Sequence, residues 1–187
     1  MFTQSAKNLK NVRYLALMAI FIALKVATAG LFLPIGENLR ISFGYLLIAV
    51  ESCIIGPIPG LLSGFITDIL GFILFPGGAF FPGYALSAMF NCFIFAVFLY
   101  QTKITVTKLF LSRLIINVVS NAFLGSLWTS MLFSKGFNYY FSISIVKNLV
   151  LLPLEVLLLY IVFKLVLPTL EKKNLVPPQS SPKIPLI

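Results

Sequence analysis

Long apolar runs, separated by short breaks rich in proline, glycine or polar residues, dominate the pattern of this chain. A helix rises about 1.5 Å per residue, so about 20 apolar residues are needed to cross a hydrocarbon layer about 30 Å thick. Six such runs are present, of which the second and third are short. They extend from Val12 to Leu33, Ile41 to Ile55, Gly60 to Phe75, Phe81 to Tyr100, Val106 to Phe133 and Tyr139 to Leu167. The pattern predicts an all-α, polytopic membrane protein with six transmembrane helices.

Composition supports this prediction and excludes a water-soluble enzyme. Hydrophobic residues make up 59% of the 187 residues and charged residues only 10%, whereas soluble domains average about 45–50% and about 25%. The mean hydropathy is +1.03. Histidine is absent, which excludes histidine metal sites and histidine-dependent catalytic triads. We expect no metal, no cofactor bound by this chain and no nucleic-acid partner.

The positive charges indicate the orientation in the membrane. Of the basic residues outside the runs, most lie before the first run, between the fourth and fifth, or after the sixth. Only Arg40 and Lys135 lie at the opposite ends of the runs. Because Lys and Arg are enriched in cytoplasmic loops, we expect both termini in the cytoplasm of a cell whose membrane the chain spans several times. Residues 1–170 then form one six-helix domain, and residues 171–187 a disordered cytoplasmic tail.

The first run also allows another interpretation. A basic start, an apolar stretch and Ala27-Thr28-Ala29 imitate a secretory signal peptide with its cleavage site. Cleavage would leave five spans. Against this alternative, Lys25 interrupts the apolar stretch near its end.

Charged residues inside the runs are candidates for function, because each costs about 2.5–3.5 kcal/mol at mid-membrane depth. They are Lys25, Glu51, Asp68, Lys147 and Glu155. Asp68 continues a Gly60, Gly64, Asp68 stripe at a spacing of four, and such glycines allow close helix packing. We therefore expect Asp68 to face the protein interior.

The first helix has two different faces. At about 100° per residue, Ala19, Ala23 and Ala27 cluster on one side, and Lys25 lies nearly opposite. Two interpretations of Lys25 stay open: it reaches the outer interface along its aliphatic stem, or it points into a cavity. In the second case the alanine face is free to dock another protein.

The fifth run carries the most polar stripe, with Arg113, Asn117, Asn121 and Trp128 along one face. We expect Arg113 to reach the cytoplasmic interface, and Asn121 and Trp128 to lie in the outer half. Together with Lys147, Phe81 and Tyr84, these residues predict an outward-facing cavity. Cations and aromatic rings suit a planar, anionic small molecule.

Several segments resemble the substrate-binding S components of energy-coupling factor (ECF) vitamin transporters, most closely the folate-specific branch. They are Leu39–Tyr45, Ile55–Gly60, Gly64–Gly71 and Phe75–Ser87. The resemblance implies a six-helix protein that binds folate outside. It also implies docking, through alanines of the first helix, on a T subunit driven by two ATPases that use ATP. Ala19 and Ala23 match the family's Ala-x-x-x-Ala motif, and Ala27 extends it.

For folate, with two carboxylates and a pterin ring, we hypothesise three kinds of contact. Lys25, Arg40 or Lys147 meets the carboxylates. Asp68 or Asn121 hydrogen-bonds the pterin, and Trp128, Phe81 or Tyr84 stacks on it.

The alternatives are an S component for riboflavin or thiamine, a small membrane enzyme that uses Asp68 or Glu51, and a purely structural subunit. No nucleophile and base stand at a recognisable spacing, which argues against the enzyme.

Overall fold

A computed structural model describes residues 1–29, 32–34, 40–75, 81–133, 136–178 and 184–185, with the side chains of 32–34 and 40–42 left out. The helices are α1 (Phe2–Asn8), α2 (Val12–Thr28), α3 (Gly44–Ile55), α4 (Pro57–Leu74), α5 (Pro82–Leu99), α6 (Val106–Ile115), α7 (Gly125–Leu132) and α8 (Phe137–Lys172). A π-helical segment, Ile116–Leu124, joins α6 directly to α7. Two three-residue strands, β1 (Phe32–Pro34) and β2 (Arg40–Ser42), pair antiparallel between α2 and α3. The all-helical class is confirmed apart from this small hairpin.

Each predicted apolar run contains a helical segment, but the end of the first run and the start of the second belong to β1 and β2 and not to helices. Four segments are long and apolar enough to cross a membrane, namely α4, α5, the continuous stretch Val106–Leu132, and α8. The pair α1 and α2, bent by 85°, is a fifth candidate among the described residues, and α3 is a shorter apolar helix. Large apolar side chains such as Ile73, Leu86 and Val150 are exposed, as expected for surfaces that face lipid.

Both termini lie at one end of the bundle, called here the terminal end. Arg13 Nη2 donates to the carbonyl of Lys173 at 2.8 Å, which joins the start of α2 to the end of α8. In α1, a helix that the sequence pattern did not predict, Asn8 Nδ2 donates to the carbonyl of Ile55 and to the hydroxyl of Tyr100, both at 3.1 Å. The terminal end therefore gathers α1, the α3–α4 turn and the end of α5.

The tail differs from the predicted disorder where it is described. Val176 and Ile184 are buried in the main apolar cluster, and the amide of Val106 donates to the carbonyl of Pro185 at 3.0 Å. Val176 and Ile184 thereby add apolar side chains to the core.

The apolar core is closest to the terminal end. Phe95, Leu99, Leu109, Leu159 and Phe163 are completely buried there. The opposite end, called here the open end, is where α3 begins, α4 ends, and α5 and α8 begin.

The glycine stripe of α4 packs as predicted. A Cβ on Gly64 would lie 2.9 Å from the carbonyl oxygen of Ala88 in α5, so only glycine permits this approach. Asp68 is one turn further along the same face and is half-buried. The stripe thus brings a carboxylate to the α5 side of α4 at the open end.

Candidate functional site

The open end contains a cavity with two lobes. The first, of about 510 Å³, lies between α2, α3, α4 and α5; because Phe72, Phe75 and Phe81 line it, it is called here the aromatic lobe. The second, of about 500 Å³, lies between α3, α5, the α6–α7 stretch and α8, and is called here the polar lobe. Gly44, Ile48, Asp68, Tyr84 and Ala88 line both lobes. The two lobes are therefore adjacent, with Asp68 and Tyr84 at their junction.

The polar lobe collects side chains with hydrogen-bonding groups from α3, α4, α5, the α6–α7 stretch and α8. Its polar lining residues are Tyr45, Asp68, Tyr84, Ser87, Asn91, Arg113, Ser120, Asn121, Ser144, Lys147, Asn148 and Glu155. Hydroxyl, amide and ammonium donors predominate in this set. Such a lobe is suited to an anionic or carbonyl-rich part of a ligand.

Lys25 lies at the edge of the aromatic lobe and is 4% exposed. Its Nζ is 2.5 Å from Glu51 Oε2 and 2.8 Å from Ser63 Oγ, and Ser63 also donates to Glu51. The first alternative, in which Lys25 reaches the outer interface, is wrong, because the bundle supplies a buried counter-charge one helix away. Glu51 is sealed by these contacts and completely buried.

A second buried ion pair, formed by Arg113 and Glu155, lines the polar lobe. Arg113 and Glu155 form two hydrogen bonds, at 2.6 and 2.9 Å, and the guanidinium lies 4.1 Å from the ring centroid of Tyr45. The prediction that Arg113 reaches the cytoplasmic interface is wrong: it is 6% exposed. A planar guanidinium can be buried when a carboxylate and an aromatic face satisfy it together.

The side chains of Asn117 and Asn121 extend this hydrogen-bond network toward the open end. Asn117 Nδ2 donates to Glu155 Oε2 at 2.7 Å and to the carbonyl of Asn148 at 3.1 Å. Asn121 Nδ2 donates to Asn117 Oδ1 at 3.0 Å. Asn121, predicted as a site residue, therefore lines the polar lobe, and the hydrogen bond to Asn117 fixes the position of its amide.

The π-helical segment supplies two of these amides. A π-helix is rare and commonly marks functional positions, because it rotates side chains away from regular α-helical spacing. Here it contains Asn117, which is completely buried, and Ser120 and Asn121, which line the polar lobe. The sequence pattern predicted one continuous α-helix and gave no signal for this change.

The three predicted aromatic residues form one cluster. The ring of Phe81 lies 5.4 Å from that of Trp128 and 6.1 Å from that of Tyr84, measured between centroids. Trp128 Nε1 donates to Ser87 Oγ at 3.0 Å. A Cβ on Gly83 would lie 2.5 Å from both Phe81 and Trp128, so glycine is required for this packing. Phe81 and Tyr84 face the cavity, and Trp128 supports Phe81 from behind.

Two charged site residues are unpaired in the described part of the chain. Asp68 lines both lobes and Lys147 lines the polar lobe, and neither has an ion-pair or hydrogen-bond partner there. Their charges are available to a ligand, unlike those of Lys25 and Arg113. The backbone of Arg40 belongs to β2, but its side chain lies outside the described residues, as does Lys135.

Sequence reasoning missed three other cavity residues. Thr67 Oγ1 in the aromatic lobe, and Asn91 Oδ1 and Ser120 Oγ in the polar lobe, are buried atoms without a partner among the residues described. Asn91 stands alone in an apolar helix, whereas Thr67 and Ser120 directly precede the predicted site residues Asp68 and Asn121, and that adjacency was the only signal in the sequence.

The predicted docking residues lie on the other side of α2. Ala19, Ala23 and Ala27 are exposed, and with Leu70, Leu74 and Phe75 they line an almost wholly apolar groove of about 560 Å³. This groove is called here the alanine groove. The predicted opposition between the alanine face and Lys25 is thus present in the structure.

The arrangement has the features of a ligand-binding site. Within the described residues no group of three or more metal-ligating side chains occurs. The cavity combines an unpaired cation, an unpaired carboxylate and aromatic faces, which suit a planar ligand with both donor and anionic groups.

Named relatives and solved structures are similar to this chain. Folate transporter FolT of Clostridium novyi (strain NT) is 30% identical over 158 residues, which cover 84% of this chain and 92% of the relative. Folate transporter FolT of Leuconostoc mesenteroides subsp. mesenteroides is 24% identical over 153 residues, 78% of this chain and 82% of the relative. A crystal structure of FolT bound with folic acid superposes with a TM-score of 0.71 at 26% identity, over 80% of this chain and 90% of the other. No family model matches the sequence.

Proposed function

Because the chain belongs to the FolT family of folate transporters, we propose that it is the folate-binding S component of an ECF-type transporter. It captures folate on the outer side of the cell membrane and releases it inward after docking on a T subunit and two ATPases. The single observation that carries this proposal is the cavity at the open end, where unpaired Lys147 and Asp68 accompany aromatic side chains. An enzyme is not expected, since the named relatives are transporters.

The glutamyl end of folate occupies the polar lobe. Its carboxylates are attracted to Lys147, whose ammonium has no other partner in the described part of the chain. A charge-assisted hydrogen bond is about twice as strong as a neutral one. Arg40 is the second candidate cation, because β2 ends shortly before Gly44, which lines both lobes. Lys25 forms part of the wall of the aromatic lobe and does not bind a carboxylate of folate, since Glu51 already neutralises its charge.

The pterin ring occupies the aromatic lobe and its junction with the polar lobe. Phe81 and Tyr84 offer ring faces there, and offset or tilted stacking stabilises such pairs. The pterin has a guanidine-like edge with N–H donors, and the unpaired Asp68 carboxylate accepts from that edge. Asn121 is the alternative partner for the ring. Trp128 acts indirectly by fixing Phe81.

The topology has six spans with both termini in the cytoplasm. Lys7, Lys10, Arg13, Lys172 and Lys173 all belong to segments at the terminal end, which supports its cytoplasmic location under the positive-inside rule. The cavity at the open end then faces outward. The short helix α3 crosses only part of the bilayer by its own length, and the preceding hairpin completes that span.

The alanine groove is the docking surface for the T subunit. Small residues let a partner helix approach the backbone of α2 closely, and the groove is lined by Ala19, Ala23 and Ala27. An apolar helix of the T subunit is the fitting occupant. Energy comes from ATP used by the partner ATPases, because this chain contains no phosphate-binding loop.

Titration of folic acid into purified protein in detergent micelles, followed by calorimetry, tests the proposal. Wild-type protein is expected to bind folic acid, and Lys147→Met to bind it at least tenfold more weakly, since a charge-assisted contact is lost. Lys164→Met, at an exposed position of α8, is the matched control and should bind as wild type. Absence of folic acid binding by the wild type would reject the function; equal affinity of Lys147→Met would reject the role of Lys147.

A further inference from the structure

Two polar side chains of the polar lobe have no partner to explain their burial. Asn91 Oδ1 in α5 and Ser120 Oγ in the π-helical segment both line the lobe. Buried polar atoms in native proteins almost always have a hydrogen-bond partner, in the protein or outside it. The positions of these two therefore call for a group that enters the lobe.

Asn91 lies on the cavity face of α5. Tyr84, Ser87 and Ala88 line the cavity above it at helical spacing, and seven residues separate Tyr84 from Asn91, which corresponds to about 10 Å along the helix. Asn91 is thus well below the aromatic rings of the junction. Its amide offers one acceptor and two donors side by side, which complements another amide or a carboxylate.

Ser120 contrasts with other helical hydroxyls in this chain. Ser112 Oγ and Thr129 Oγ1 donate to backbone carbonyls about one turn earlier, as hydroxyls in helices commonly do. Ser120 lies in the π-helical segment, is 2% exposed, and makes no such bond. Its hydroxyl therefore has no hydrogen-bond partner among the described residues that surround it.

The other amides of the lobe are already occupied. Asn117 is bonded to Glu155, and Asn121 is bonded to Asn117, while Asn148 Nδ2 donates to the carbonyl of Ser144 at 2.8 Å. This network holds the amide side chains of the lobe in place, but it leaves fewer hydrogen-bond donors free for a ligand. The lining groups without a partner in the part of the chain described include Asn91 Oδ1, Ser120 Oγ, the ammonium of Lys147 and the carboxylate of Asp68, and the last of these repels an anionic end of a ligand.

We infer that Asn91 and Ser120 are specificity-determining residues that recognise an amino-acid-like end of the ligand: Asn91 pairs with its amide, and Ser120 donates to a carboxylate. The inference rests on the proposed function, in which the glutamyl end of folate occupies the polar lobe. It gives the lobe a preference for folic acid over pteroic acid, which carries the same pterin and benzoyl rings without the glutamate. Lys147 attracts the negative charge of the ligand, and the neutral side chains of Asn91 and Ser120 select its shape through directional hydrogen bonds.

Paired titrations of folic acid and pteroic acid test this inference. Wild type should prefer folic acid, and Ser120→Ala should lower folic acid affinity about tenfold, as expected for a lost hydrogen bond to a charged group. Pteroic acid affinity should change by less than about twofold, because the altered contact is absent there. Asn91→Leu should lower folic acid affinity further and should also weaken pteroic acid, but less, because the benzoate carboxylate of pteroic acid stands where folic acid has its amide.

Ser126→Ala is the matched control. Ser126 is also buried with an unpartnered hydroxyl but does not line either lobe, so both affinities should be unchanged. If Asn91→Leu fails to fold, Ser120→Ala alone decides. Equal weakening of both ligands, or no weakening, would overturn the inference while leaving folate binding intact. Wild-type protein that binds neither ligand would instead overturn the proposed function.

Discussion

The two sides of α2 show how one helix meets opposite requirements. Toward the cavity, Lys25 is buried and held by Glu51 and Ser63. Toward the outside, Ala23 and Ala27 are exposed in the alanine groove, where hardly any polar surface occurs. The cavity side depends on charge compensation, and the groove side depends on small size. We expect substitutions on the two sides to affect different properties.

The largest effect is expected when the buried charge of Lys25 loses its compensating carboxylate. Glu51→Gln keeps the size of the side chain but leaves the buried Lys25 without a counter-charge. Removing one partner of a buried ion pair costs about 3–5 kcal/mol, so the free energy of unfolding should fall by that amount. Thermal unfolding of the purified protein in micelles measures it.

Glu171→Gln, at the end of α8, is the control for the loss of a glutamate charge. Partly exposed charges contribute about 0–1 kcal/mol, so its melting temperature should stay close to wild type. Equal melting temperatures for the two variants would show that the Lys25–Glu51 pair does not stabilise the bundle.

A smaller effect, on assembly alone, is expected on the groove side. Ala23→Leu fills part of the alanine groove, so a partner helix can no longer approach α2 closely. Association with the T subunit and ATPases should weaken at least tenfold, about 1.4 kcal/mol, while folic acid affinity stays unchanged. Co-purification and folate uptake by cells report the loss.

The control for this substitution is Val150→Leu, because Val150 is 69% exposed on α8 and outside the groove. It should assemble as wild type. Normal assembly of Ala23→Leu would remove the alanine groove from the docking surface. Reduced folic acid affinity would show that the two sides of α2 are not independent.

The smallest effect concerns the aromatic cluster next to the cavity side. Phe81→Leu removes the ring between Tyr84 and Trp128. Aromatic contacts add about 0.5–1.5 kcal/mol beyond burial, so folic acid affinity should fall about two- to tenfold in a calorimetric titration. Phe110→Leu, on α6 and 40% exposed, should leave affinity unchanged; equal affinities for both variants would argue against stacking on Phe81.

The sequence predicted the helical framework because apolar runs of membrane length are a strong signal. All six runs contain helical segments. The hairpin of β1 and β2, the bend between α1 and α2, and the π-helical segment were not foreseen, since each depends on packing between segments. Val176 and Ile184 are buried for the same reason: their partners are distant in sequence.

The candidate site was only partly predictable. Asp68, Tyr84, Asn121 and Lys147 do line one cavity. Helical spacing indicated an inward face for Asp68 and Asn121, whereas Tyr84 and Lys147 were included for the aromatic ring and the positive charge. Pairings were not predictable: the charge of Arg113 is satisfied by Glu155, 42 residues away, and periodicity says nothing about a partner on another helix. Unpartnered atoms such as Asn91 Oδ1 become visible only when all neighbours are known.

The most direct test of the central claim is a titration of the single tryptophan. Trp128 contacts Phe81 at the edge of the cavity, so folic acid binding should quench its emission in a saturable way at low micromolar concentrations or below. Free N-acetyltryptophanamide corrects for light absorbed by the ligand. Riboflavin and thiamine should give no saturable quenching. Absence of a saturable response to folic acid, or an equal response to all three vitamins, would contradict folate binding in this cavity.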